Sequence, residues 1–149
     1  MGYRNVVVGT DGSETAGAAV RHAARLAKAS GARLTIVTAF TPHPDRLARA
    51  QDEAPDEIKW RVTESAEADE TAGRGRKITA EEGVSDVHCR SQSGDPAAAL
   101  IDAAEDTGAD VIVVGSRGMA SPSRFVLGSV PNKISHHAPC DVLIVHTTD

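Results

Sequence analysis

Val111-Ile112-Val113-Val114-Gly115-Ser116-Arg117-Gly118 decides the fold. Four β-branched apolar residues in a row, with no polar alternation, mark a strand covered on both faces, as happens in a parallel sheet with helices above and below it. The run then stops at a glycine-rich turn. Val6-Val7-Val8 repeats the arrangement and breaks at Gly9-Thr10-Asp11-Gly12-Ser13, and Val142-Leu143-Ile144-Val145 gives a third such run. Between them apolar residues recur at helical spacing. Ala16, Ala19, Val20, Ala23, Leu26 and Ala27 form one face, with Arg21, His22, Arg25 and Lys28 mostly off it. Ser13 or Asp11 is the expected N-cap of this helix and Gly31 its stop.

The rest of the chain keeps the alternation. Leu34 to Phe40 is a strand ended by Thr41-Pro42, and a weaker strand is expected over Val84–Ser91. Gly94-Asp95-Pro96 opens a helix, with Asp95 as N-cap and Pro96 at the first helical position. Ala97, Leu100, Ile101 and Ala104 are its apolar face and Gly108 its end. A last helix is expected from about Gly128 to His137. Between Pro42 and Gly83 the pattern is polar, with a short helical turn around Asp56–Val62 and a helix over Glu64–Glu82. Gly73 and Gly75 would cost that helix about 1 kcal/mol each relative to alanine. Strands alternating with helices predict an α/β fold: an open parallel sheet with helices on both faces. At 149 residues the chain makes one domain.

Composition narrows the function classes. Acidic residues outnumber basic ones 21 to 16, and Tyr3, Phe40, Trp60 and Phe125 are the only aromatic residues. A net charge of −5 with so few rings disfavours nucleic acid, whose partners carry basic patches and stacking platforms. A polybasic membrane-surface protein is disfavoured for the same reason, and no apolar run approaches the roughly 20 residues of a membrane span. No secretory h-region follows Met1, so a cytoplasmic location is expected. Cys89 and Cys140 are too few for a disulfide framework and are expected as reduced thiols.

In doubly wound folds, ligands sit at the carboxyl ends of the strands, where strand order reverses. Gly115 and Gly118 are followed, nine residues on, by Gly128-Ser129 at the start of the last helix. Glycines let a backbone approach a ligand closely, and consecutive N–H groups form an anion-binding nest. The helix N-terminus adds donors and positive partial charge. This combination points to phosphate. Arg117 and Arg124 lie inside the motif, where they could neutralise phosphate charge or simply be solvated. Asp11 is an Asx-turn residue by its sequence and a ligand group by its place at the end of the first strand.

These residues carry a family resemblance. Gly115-x2-Gly118-x9-Gly128-Ser129 resembles the nucleotide-binding motif of the universal stress protein family. Val7-Val8-Gly9-Thr10-Asp11-Gly12-Ser13 is similar to that family's first strand and loop. Gly94-Asp95-Pro96 and Ala138-Pro139-Cys140-Asp141-Val142-Leu143-Ile144-Val145 fit its third-helix start and last strand, with Asp141 where the family usually has proline. The resemblance implies a Rossmann-like, five-stranded sheet of order 3-2-1-4-5. It also implies that Asp11 and Ala39 hold adenosine, together with Gly9 and Thr10 of the same loop. Val114 would line the base and Gly115 the ribose. Gly118, Gly128 and Ser129 would lie at the phosphates, with Val130 beside them. The complete glycine motif implies ATP, with Mg²⁺, as the ligand. A glycine nest does not count phosphates, so cAMP or AMP stays open as an alternative. The last strand would lie at a sheet edge and pair across a homodimer two-fold. The same strand order puts Cys89 and Cys140 at opposite edges.

Competing chemistries lack their residues. There is no Gly-x4-Gly-Lys-Ser/Thr for phosphoryl transfer and no Gly-x-Gly-x-x-Gly after the first strand for a dinucleotide. Adjacent His136 and His137 point to different sides of a helix and do not make a metal pair. With no general base identifiable, no catalytic residue and no protein metal site are assigned. The expectation is a regulatory nucleotide binder, the enzymatic alternative being slow ATP hydrolysis or adenylyl transfer.

Overall fold

The computed structural model describes residues 2–40, 56–116 and 129–146. Five strands, β1 (Asn5–Gly9), β2 (Arg33–Phe40), β3 (Val87–Ser93), β4 (Val111–Gly115) and β5 (Asp141–Val145), form one sheet of order β3-β2-β1-β4-β5. Every neighbouring pair is parallel. Helices α1 (Glu14–Ser30), α2 (Asp56–Glu81), α3 (Pro96–Thr107) and α4 (Ser129–His137) complete the described elements.

The uninterrupted valine runs are explained by what lies on each side of them. Along β1, Val6 and Val8 point to one face and Val7 to the other, and all are fully buried. Val6, Val8, Leu34, Ile36, Val111 and Val113 pack under Ala19, Val20, Ala23, Ala24 and Ala27 of α1, with Ile78 of α2 against them. Val7, Val37, Ile112 and Val114 pack under Ala97, Leu100, Ala103 and Ala104 of α3 and Ile134 of α4. Each large aliphatic side chain removed from water contributes about 1.5–3 kcal/mol. The alanine faces let the helices lie close to the sheet, and the described buried layers are aliphatic, with Tyr3 packed against the first.

Local signals set the element ends. Ser13 caps α1, its Oγ accepting from the Ala16 N–H at 3.1 Å, and Gly31 ends the helix in the left-handed conformation. Asp95 caps α3 through the Ala98 N–H at 3.1 Å and also accepts from Lys133 Nζ at 3.2 Å, joining α3 to α4. The Ala98 amide and, after it, Lys133 hold the Asp95 carboxyl below the usual aspartate range. Asp110 accepts from the N–H groups of Arg4 and Asn5 at 2.7 and 2.9 Å, fixing the start of β1 beside the start of β4. Those two amides lower its pKa as well.

Two expected boundaries are corrected. The third strand runs over Val87–Ser93 instead of Val84–Ser91, because the Val84 N–H bonds the Thr79 carbonyl and so belongs to the end of α2. At the other end Gln92 and Ser93 continue the ladder opposite Ala39 and Phe40. The separate turn and helix expected between Asp56 and Glu82 are one continuous helix, Asp56–Glu81. Cys89 on β3 and Cys140 beside β5 lie at opposite sheet edges and both are free. Burial, then the Asp141 and Asp110 carboxylates, push the Cys140 thiol upward, so it resists ionisation. No described helix is long and apolar enough to cross a membrane.

Candidate functional site

Chain order places β2 and β3 on one side of β1 and β4 and β5 on the other. The connections leaving β1 and β4 therefore diverge, opening a crevice at their carboxyl ends. A cleft of about 210 Å³ occupies it. Gly9, Thr10 and Asp11 line it from the end of β1, Ala39 from β2, Val114 and Gly115 from β4, and Ser129 and Val130 from α4. Residues separated by up to 121 positions in the sequence thus share one wall system. Arg117, Gly118 and Gly128, and with them Arg124, lie outside the described residues; the flanking Gly115 and Ser129 both line the cleft.

The β1–α1 loop is fixed by its own side chains. The Thr10 N–H continues the sheet by donating to the Val37 carbonyl at 3.0 Å. Thr10 Oγ1 accepts from the Gly12 N–H at 3.1 Å, and Asp11 Oδ1 accepts from the Ser13 N–H at 2.9 Å. The alternatives for the α1 cap are thereby decided: Ser13 is the cap and Asp11 makes the Asx-turn before it. Asp11 is nevertheless exposed at the cleft, with its second carboxylate oxygen available to a ligand.

Several lining residues escaped the sequence reading. Ser13, Thr15 and Ala16 bring the first turn of α1 to the cleft, Pro96 the first turn of α3, and Val37, Leu100 and Pro131 its apolar floor. The signal that could have found Ser13 and Pro96 is their capping position, since helices after β1 and β3 both start at the carboxyl edge of a parallel sheet. Three helix N-termini, those of α1, α3 and α4, consequently meet at one cleft. Their partial charges make it favourable for an anion without any basic side chain. Among the described lining residues Asp11 is the one ionisable group, and the rest of the polar lining is hydroxyl and backbone.

Residues 2–146 match the universal stress protein family. The chain belongs to that family. Universal stress protein Rv1636 of Mycobacterium tuberculosis is 42% identical over 147 residues, covering 98% of each chain. A solved universal stress protein in complex with cAMP has a TM-score of 0.74 at 32% identity, over 99% of this chain and all of the other. The universal stress protein of Archaeoglobus fulgidus in complex with dAMP has a TM-score of 0.65 at 27% identity, over 97% of this chain and 98% of the other. The expected sheet order of this universal stress protein is the observed one.

Proposed function

We propose that this universal stress protein binds ATP in the cleft between β1 and β4 and acts in the cytoplasm as a regulatory module whose signal is nucleotide occupancy. The observation that carries the reading is the convergence of Asp11, Ala39, Val114, Gly115 and Ser129 on one cleft at the divergence of β1 and β4. Val37, Ala39, Leu100, Val114 and Val130 supply aliphatic walls for adenine, so no stacked ring is needed. The N-terminus of α4 and the neighbouring glycine motif supply donors for the phosphates. The two ligand-bound relatives carry adenine nucleotides, which supports the class of ligand. The complete motif Gly115, Gly118, Gly128 and Ser129 supports ATP within that class.

Mg²⁺ would arrive with the phosphates. It ordinarily takes one or two carboxylates besides phosphate oxygens and water, and Asp11 is the carboxylate within the described lining. One Asp11 oxygen already accepts from the Ser13 amide, and in this reading the other is engaged by the sugar end or a bridging metal, leaving no general base assigned. The protein is accordingly read as a binder and not as an enzyme.

Titration calorimetry with ATP, AMP and cAMP tests the ligand. The expected result is one site per chain with ATP bound tightest. The cAMP complex of a 32% identical relative favours the second reading, a cAMP or AMP sensor. A clear preference for cAMP would establish it at the expense of ATP. Steady turnover of ATP above roughly 0.1 s⁻¹, still well under the common enzyme median of about 10 s⁻¹, would overturn the non-enzymatic reading.

We also propose a homodimer through β5. Among the described residues β5 pairs with β4 alone, and Val142, Leu143 and Ile144 are each only half-buried. An apolar edge of this kind pairs readily with its own copy. Sedimentation at micromolar concentration should give twice the 15.5 kDa chain mass; a monomer there would contradict the pairing.

A further inference from the structure

The two glycines inside α2 have different surroundings. Gly73 is exposed, and a Cβ there would meet nothing within 4 Å. Gly75 is buried, and a Cβ there would stand 3.1 Å from Ile36 Cδ1, itself fully buried on β2. A side chain at position 75 would therefore require the buried Ile36 to give by a few tenths of an ångström. One residue and one turn earlier, Arg74 and Thr71 reach the β1–α1 loop. Arg74 Nη1 donates to the Gly12 carbonyl at 3.5 Å. Gly12 has φ +84°, and a Cβ on it would lie 3.1 Å from Arg74 Nη1 and 3.2 Å from Thr71 Oγ1.

Thr71 and Arg74 do not line the cleft, whereas Asp11 and Ser13, on either side of Gly12, do. Behind the loop a second hollow of about 430 Å³ opens between α1 and α2, bordered by Thr10, Gly12, Ser13, Arg21, Arg74 and Ile78. The Thr10–Ser13 segment is thus a thin wall with the cleft on one side and open space on the other. Hydrogen bonds within the loop set its shape, and on the open side Arg74 adds a contact from α2.

We infer that α2 braces this wall: Arg74 is a positioning residue that holds Gly12, and through it Asp11, where a bound nucleotide meets them, with the Thr71 side chain standing beside Gly12. The inference rests on the nucleotide reading given above. A loop that leaves its binding geometry for part of the time lowers affinity by the fraction of competent molecules lost. The brace depends in turn on the Gly75–Ile36 seat, so a residue on the sheet face of α2 bears on a cleft it never touches.

The test is calorimetry with ATP on the full chain, paired with amide hydrogen exchange in the absence of nucleotide. Arg74→Ala should weaken ATP roughly three- to tenfold, with partial recovery in Arg74→Lys. Gly75→Ala should shift affinity the same way by pressing α2 off Ile36. Gly73→Ala removes a helix glycine without a clash, so it should keep wild-type affinity. Exchange at Gly12 and Ser13 should be faster in Arg74→Ala and Gly75→Ala than in wild type. Wild-type affinity in Arg74→Ala, an exposed substitution that leaves the core intact, would overturn the brace alone. Failure of the wild-type protein to bind ATP, AMP or cAMP would overturn the nucleotide reading and the inference with it.

Discussion

Gly118→Ala and Gly128→Ala should each abolish ATP binding, weakening it at least about a hundredfold, while the fold persists. The segment that holds these glycines is bounded by Gly115 at the end of β4 and Ser129 at the start of α4, and both bounds line the cleft. The proposed reading puts these glycines at the phosphates. An anion held by backbone N–H groups needs the chain within hydrogen-bond distance of it, and a methyl group at a motif glycine obstructs that approach. Hydrogen bonds to a charged group contribute about 1.5–3 kcal/mol each. Losing two of them accounts for the hundredfold effect, at about 1.4 kcal/mol per factor of ten. The two core layers are accounted for by described strand and helix residues, so thermal unfolding should stay near wild type. Calorimetry with ATP reads the first effect and circular dichroism the second. Unchanged affinity in either variant refutes the phosphate assignment.

The largest stability effect is expected at Ile112. It is fully buried in the second strand from the sheet edge, opposite Val7 on one side and Val142 on the other. Leu100, Ala104 and Ile134 belong to the same core layer. Ile112→Ala should cost about 3 kcal/mol, the transfer free energy of the lost carbons plus a cavity. A cavity term adds to the transfer term to the extent that the Leu100 and Ile134 side chains packed in this layer do not close over the gap. For a chain of this size the unfolding midpoint should fall by roughly 6–12 °C. Denaturant unfolding gives the free energy directly. A loss below about 1 kcal/mol would mean that α3 and α4 do not seal this face of the sheet.

The sequence made some elements legible because one physical signal dominated each. Val111–Val114 could only be a doubly covered strand, and Asp95-Pro96 could only open a helix. Strand order was different in kind. Hydrophobic periodicity says that a sheet is parallel and not which strands are neighbours, so the order came from the family resemblance. The errors lie where tertiary contacts outweigh local preference. The helix expected through Gly75 is present, seated on Ile36, but it starts at Asp56 and absorbs the turn expected as separate. Gln92 and Ser93 look like a loop, but backbone pairing with β2 extends β3 through them. Of the residues singled out from sequence, Gly9, Asp11 and Gly115 are among those that line the cleft. Its floor was not legible, because Val37, Leu100 and Pro131 look like any core residues until the sheet brings them under the cleft.

The central claim is that an adenine nucleotide occupies this cleft, and an amide-resolved NMR titration with ATP tests it most directly. The account predicts saturable shifts at Gly9, Thr10, Asp11, Ala39, Val114, Gly115, Ser129 and Val130, with little change at the starts of β1 and β4 around Asn5 and Asp110. Shifts confined to other surfaces, or none at millimolar ATP, would contradict it.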